Sequence, residues 1–206
     1  MAHAAKSDSD VWDGRCVLVG ITGGIACYKT ATVVSGLVQA GAIVRVVMTE
    51  AATRFVAPLT FASLSGSPVV TSVWDAPDHH DSPHVELARW ADLMIVAPAT
   101  ANSIAKLAHG LCDDVVCLCA CALRTDTPVL LAPAMNEQMW RNPITQRNLR
   151  TVEDVLGYHT VGPDDGWQAC RTRGAGRMSE PAAILKVAVG LTGKYAVSQK
   201  GTKAPR

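Results

Sequence analysis

Cys16-Val-Leu-Val-Gly20, followed at once by Ile21-Thr22-Gly23-Gly24, is the stretch on which the architecture turns. The first part is a short run of apolar, β-forming side chains, which reads as a buried strand. The glycines after it read as a tight turn into a helix over 25–40 that stops at Gly41. Ile43-Val-Arg-Val-Val-Met48 is a second strand, with Thr49 at a helix N-cap position. Strand, glycine turn, helix, strand is the signature of a right-handed crossover in a parallel sheet.

Working outward, the same alternation continues. A helix is expected at 59–64, a short apolar run at 68–73 and a short helix at 84–91. Leu93-Met-Ile-Val-Ala97 is a third strong strand, and helices follow at 102–109 and 113–123. Pro128-Val-Leu-Leu-Ala132 is a fourth strand, then a helical segment at 143–156 and a short strand near Thr160. Residues 162–178 are glycine-rich and read as a loop, and a helix with proline in its first turn spans 181–191. The strands are nearly continuous in apolar residues, as strands covered on both faces are. The expected architecture is an open three-layer α/β fold, whose ligands sit at the carboxyl ends of the strands. Residues 1–14 form a polar leader expected to be flexible, 15–192 the domain, and 193–206 a basic tail expected to be disordered.

Composition narrows the function. With 49% hydrophobic residues the chain can bury a large core, and a net charge of +1 without basic clusters gives no footprint for nucleic acid. No signal peptide and no apolar run long enough to span a bilayer are present, so no membrane partner and a cytoplasmic location are expected. The seven cysteines are an odd number without a secretion signal, which argues against a disulfide framework. Cys117, Cys119 and Cys121, spaced by two, cannot share one helix face and have no histidine among them. They read as core packing, with no metal site.

Each strong strand ends in conspicuous residues. Gly23 and Gly24 let a backbone approach an anion at a helix N-terminus, or only serve tight packing. Thr49 and the turn Thr100-Ala-Asn-Ser103 offer hydroxyls and amides for a phosphate, although both threonines also suit helix caps. Asn136, beside Met139 and Trp140, reads equally as a carboxylate-binding amide or as a cap. His84 follows Pro83 at a helix start, where a solvated histidine is the bland reading. His79 and His80 fall in an Asp- and Pro-rich loop and are expected to be exposed.

In order along the chain, the markers Gly20-Ile-Thr-Gly-Gly-Ile-Ala26, Val47-Met-Thr-Glu-Ala-Ala-Thr-Arg-Phe55, His84-Val-Glu-Leu-Ala-Arg-Trp-Ala-Asp92, Ala97-Pro-Ala-Thr-Ala-Asn-Ser103, Pro133-Ala-Met-Asn-Glu-Gln-Met-Trp140 and Ala169-Cys-Arg-Thr-Arg-Gly-Ala-Gly-Arg-Met178 resemble the flavoprotein decarboxylases that act on cysteine carboxylates. That family includes phosphopantothenoylcysteine decarboxylase and enzymes that modify the C-terminal cysteine of ribosomal peptides. The resemblance covers roughly 15–190. It implies a Rossmann-like flavoprotein fold, bound FMN, and a homo-oligomer, either a trimer or a dodecamer built of trimers, with flavin near the subunit interface. Gly23, Gly24, Ile25, Thr49, Phe55, Thr100, Ala101, Asn102, Ser103 and Ala134 would face the cofactor. His84 would be the general base, Asn136 the carboxylate-holding amide and Cys170 the final proton donor. Met139, Trp167, Gln168, Ala169, Arg171 and Arg173 would meet substrate, the last five in a clamp at 162–178.

These roles are chemically coherent. A cysteine carboxylate leaves poorly until its thiol carbon is oxidised to a C=S group, β to the carboxylate, that accepts the electrons as CO₂ departs; FMN takes the hydride. The enethiol so formed is either reduced again, as in coenzyme A biosynthesis, or released, as in peptide modification. Cys170 favours the first route. Arg171 and Thr172 where the family usually has Gly-Asp, the extra charge of Arg173, and the free-standing domain favour the second. The expected activity is therefore oxidative decarboxylation of a peptide ending in cysteine, with phosphopantothenoylcysteine as the alternative substrate. A non-catalytic regulatory flavoprotein stands third, because both His84 and Asn136 are present.

Overall fold

The computed structural model describes residues 11–72, 74 and 82–195. His79, His80, leader residues 1–10 and tail residues 196–206 lie outside the described residues. In chain order the elements are β1 (Cys16–Ile21), α1 (Cys27–Gln39), β2 (Ile43–Met48), α2 (Glu50–Thr53), α3 (Pro58–Ser65), β3 (Val69–Val70), α4 (Pro83–Trp90), β4 (Leu93–Ala99), α5 (Ala101–His109), α6 (Val115–Ala122), β5 (Val129–Pro133), α7 (Glu137–Arg141), α8 (Pro143–Asp154), β6 (His159–Thr160), β7 (Asp164–Trp167), β8 (Arg173–Arg177) and α9 (Pro181–Tyr195).

The main sheet has the order β3-β2-β1-β4-β5-β6, and every neighbouring pair is parallel. Successive strand residues feed opposite faces, as the pleat requires. Val17, Val19 and Ile21 join Val44, Val46, Ile95 and Leu130 in a core under α1, α3 and α9. Leu18, Val47, Met94, Val96 and Leu131 join a second core with residues of α4, α5, α6 and α8. Both faces are therefore covered, which confirms the three-layer reading.

Local chemistry sets the element ends. Gly41 takes φ +96° after α1, and Ala42 N–H bonds Leu37 O at 3.0 Å, which closes the helix as a glycine C-terminus should. Asp114 caps α6 by accepting from Cys117 N at 2.9 Å. Cys117 and Cys119 are wholly buried in that helix, and burial pushes the Cys119 thiol up to about 12, so both behave as small apolar side chains. Trp12, within the expected leader, is only 3% exposed and packs in the first core, so order begins before the first strand.

One expectation needs correction. Residues 162–178 are not an open loop: β7 and β8 pair as an antiparallel hairpin. Its short, glycine-interrupted strands lack the apolar run that marks a strand.

The chain leaves β1 for β2 and β3, then jumps back to β4 on the other side, so a crevice opens between the ends of β1 and β4. Thr22 holds that crevice. Its fully buried hydroxyl donates to Pro98 O at 2.6 Å and accepts from Thr100 N at 3.1 Å. Thr22→Val keeps the shape but leaves a buried carbonyl and a buried N–H without their partner. It should cost about 2 kcal/mol in urea unfolding, whereas Thr22→Ser should lie near the parent.

Candidate functional site

At the carboxyl edge of the sheet the loops enclose a cavity of about 990 Å³. The turn after β1 brings Gly23, Gly24 and Ile25 to its wall, the turn after β2 brings Thr49, and the turn after β4 brings Thr100, Ala101, Asn102 and Ser103. Ala134, Asn136 and Met139 enter after β5, and Trp167, Gln168, Ala169 and Cys170 come from the hairpin tip. Residues far apart in sequence thus meet where an open α/β sheet binds its ligand. Gly23 makes the first approach possible, because a Cβ there would overlap Ala51 of α2.

Capping and site roles coincide. Thr49 accepts from Ala52 N at 3.2 Å and Thr100 from Ser103 N at 3.3 Å, and both still face the cavity. Asn136 caps α7 through Oδ1, which accepts from Gln138 N at 2.8 Å. With its oxygen committed to a backbone N–H, only Nδ2 is left to point elsewhere, and it donates to Cys170 Sγ at 3.3 Å. The cap therefore sets which end of the amide the cavity sees.

Cys170 sits at the tip of the β7–β8 hairpin. Its Sγ also lies 2.9 Å from Thr172 Oγ1 and 3.4 Å from Gln168 Oε1. Hydrogen bonds from Thr172 and then Asn136 hold this thiol below its ordinary value of 9.0. The tip is a three-residue turn: Gln168 N donates to Thr172 O and Arg171 N to Gln168 O, each at 2.9 Å. Arg171 closes it at φ +64°, the left-handed position that favours glycine in such hairpins.

Several expected residues lie elsewhere. Phe55 is 50% exposed beyond α2 and does not line the cavity. Neither do Arg171 and Arg173; Arg173 faces Asp165 across the hairpin at 3.9 Å, both side chains largely exposed. No residue of α4 lines the cavity, so His84 is outside it. His84 Nδ1 is buried and has no hydrogen-bond partner among the described residues. Arg45 of β2 stacks over Trp90 at 4.8 Å and pairs with Glu86 at 3.4 Å, which fixes α4 against the sheet.

The cavity also holds charges that sequence reasoning missed. Lys106, on α5, reaches Asp113 at 2.7 Å and Asp114 at 2.8 Å. Burial alone would lower its ammonium, but the hydrogen bonds to these carboxylates outweigh it and raise it. Lys29 of α1 pairs with Glu180 at 2.9 Å, and Glu180 also meets Arg177 at 3.2 Å. A helix-face argument could have found both lysines, since Lys29 is four residues after Ile25 and Lys106 three after Ser103.

The model of the family described as Flavoprotein matches residues 6–193. The coenzyme A biosynthesis bifunctional protein CoaBC of Haemophilus influenzae is 48% identical over 173 residues, 84% of this chain and 42% of that protein. CoaBC of Escherichia coli is 46% identical over 176 residues, 85% of this chain and 43% of that protein. The chain thus spans about two fifths of the length of the curated relatives it matches. Among solved structures, a cysteine-to-serine mutant of PPC decarboxylase complexed with pantothenoylaminoethenethiol superposes with a TM-score of 0.76 at 31% identity, over 85% of this chain and 96% of that one. The FMN-dependent cysteine decarboxylase SpaF gives 0.77 at 28% identity, over 90% and 99%.

The strained turn yields a measurable expectation. Arg171→Gly removes a left-handed penalty of about 1 kcal/mol. Hydrogen exchange at the Gln168 amide, which closes the tip onto Thr172 O, should then slow about fivefold; unchanged exchange would mean that the tip carries no such strain.

Proposed function

This chain belongs to the Flavoprotein family, and we propose that it is an FMN-dependent carboxy-lyase acting on the cysteine carboxylate of phosphopantothenoylcysteine. The observation that carries this reading is the Cys170 thiol, held inside the cavity 3.3 Å from Asn136 Nδ2. A proton donor beside the carboxylate-binding amide serves a route that ends in a saturated thiol.

The expectation of a peptide substrate is corrected. Relatives at 46–49% identity are coenzyme A biosynthesis proteins, and among the solved structures PPC decarboxylase, at 31% identity, stands above the FMN-dependent cysteine decarboxylases SpaF and TvaF at 28% and 25%. Two of the clamp substitutions that had argued for a peptide have local contacts: Thr172 binds the Cys170 sulfur and Arg173 faces Asp165. Arg171 stands in a left-handed turn position with its side chain exposed, and nothing in the structure explains it.

The residues present fit a flavin mononucleotide. A Cβ at Gly24 would meet only Thr100 and Pro98, at 3.5 and 3.9 Å, so that backbone stands open to the cavity. Gly23 to Ile25, Thr49, Thr100 to Ser103 and Ala134 would hold the cofactor, with hydroxyls for its phosphate and small side chains for its ring. When bound, FMN supplies the two-electron chemistry that lets the thiol carbon be oxidised before CO₂ leaves. Asn136 Nδ2 orients the carboxylate, and the Cys170 S–H supplies the proton that, together with the hydride returned by the reduced cofactor, would saturate the resulting double bond. Lys29 and Arg177 share the single carboxylate of Glu180, which leaves that wall with one net positive charge suited to a phosphate monoester.

His84 acts from a second copy. The homo-oligomer implied by the family resemblance would bring α4 of one subunit to the cavity of another, and Nδ1, buried without a hydrogen-bond partner among the described residues, supports a role beyond its own chain. Mixed assemblies of His84→Asn and Asn136→Asp subunits should then recover activity that neither has alone. Recovery no greater than the sum of the two would exclude a shared site.

The substrate assignment is tested by mass. Phosphopantothenoylcysteine should lose CO₂ alone, about 44 Da by stoichiometry, and Cys170→Ser should stop two hydrogens lighter, at the enethiol. Turnover of cysteine-terminated peptides, with none of the phosphorylated compound, would reverse the assignment.

A further inference from the structure

Gln168 reads in sequence as a substrate contact, yet its side chain is only 7% exposed and its hydrogen-bonding capacity is spent inside the protein. Nε2 donates to Gly174 O at 3.3 Å and to Ala175 O at 3.0 Å. Oε1 accepts from Glu137 N at 3.3 Å and from Cys170 Sγ at 3.4 Å. A primary amide has two N–H donors and two lone pairs on oxygen, and all four are engaged here. Nothing is left over for a ligand.

The partners belong to separate pieces of the site. Gly174 and Ala175 are in β8, Glu137 opens α7, and Cys170 is at the hairpin tip. Asn136 takes Gln138 N while Gln168 takes Glu137 N, so two amides divide the first N–H groups of α7 between them. The slot is shaped for this side chain. A Cβ on Gly176 would overlap Met135 O and come within 3.0 Å of Gln168 Nε2, and a Cβ on Gly174 would overlap the Glu137 carboxylate. Met135 N also bonds Gly176 O at 2.9 Å, which presses β8 onto the turn that carries Asn136.

We propose that Gln168 is a positioning residue: its buried carboxamide locks the hairpin tip to the start of α7, and so sets the Cys170 thiol against Asn136. Seating the hairpin and aiming the proton donor are then one event. The proposal rests on the reading of Cys170 as the donor that saturates the enethiol, and it explains how a residue at a hairpin tip is aimed with the accuracy proton transfer requires.

Two arms test it in the flavin-loaded protein. In the first, Cys170 alkylation by iodoacetamide is followed across pH by peptide mass mapping, with exposed Cys112 as internal control. This arm needs no substrate, so it stands even if phosphopantothenoylcysteine is not turned over. The parent should show a midpoint below 9.0. Gln168→Leu, which frees the tip and so takes the sulfur away from Thr172 and Asn136, whose hydrogen bonds hold the thiol down, should move it upward and raise the limiting rate. Gln168→Asn, one methylene shorter and the safeguard if Leu prevents folding, keeps an uncharged amide that can no longer span β8 and the start of α7, and should move it upward as well. Cys112 should not change in either variant. In the second arm, the ratio of enethiol to saturated thiol released from phosphopantothenoylcysteine should rise about tenfold in Gln168→Leu. A Cys170 midpoint equal to the parent's in the folded variants overturns the proposal, as does a product ratio that stays at the parent value while the parent itself turns over.

Discussion

The site depends on one hydroxyl. Thr22 lies where the strand order reverses, and its Oγ1 joins the carbonyl of Pro98 to the N–H of Thr100 across the ends of β1 and β4. β1 and β4 are already paired along their length, and Thr22 carries that connection past their last ladder bond into the loops. By tying them together while the chain leaves on opposite sides, Thr22 keeps a crevice that is open to ligand but closed at its floor. The turn after β1 and the first turn of α5 then face one cavity, and the loops after β2 and β5 complete it.

How much of this the sequence disclosed follows from the kind of interaction involved. The four strong strands are apolar on both faces, so a short run such as Leu93 to Ala97 announces itself, and helix ends marked by Gly41 or Thr49 follow from backbone chemistry alone. The family markers located the glycine turn, the threonine turn and Asn136, and these do meet at one cavity. Whether Asn136 was a cap or a ligand could not be decided by spacing, because the two roles use opposite ends of the same amide. Only the bond from Gln138 N separates them.

What stayed hidden is contact between elements distant in the chain. The β7–β8 hairpin buries little on its own and is held by neighbours, through glycines that admit the 135–137 turn, so it left no apolar period to read. Arg171 and Arg173 looked like a changed recognition surface because their charge is visible in sequence and their direction is not. His84 lies outside its own chain's cavity, since no residue of α4 lines it, and nothing in its local sequence marks that.

The hairpin is fastened by unlike forces at its two ends. Near its base, Glu180 receives Lys29 and Arg177, so that attachment is ionic and partly open to solvent. At the tip, a neutral amide in a dry slot does the fastening. Dissolved ions screen the first and hardly touch the second. Raising the ionic strength therefore weakens the ion pairs at the root more than the amide bonds at the tip.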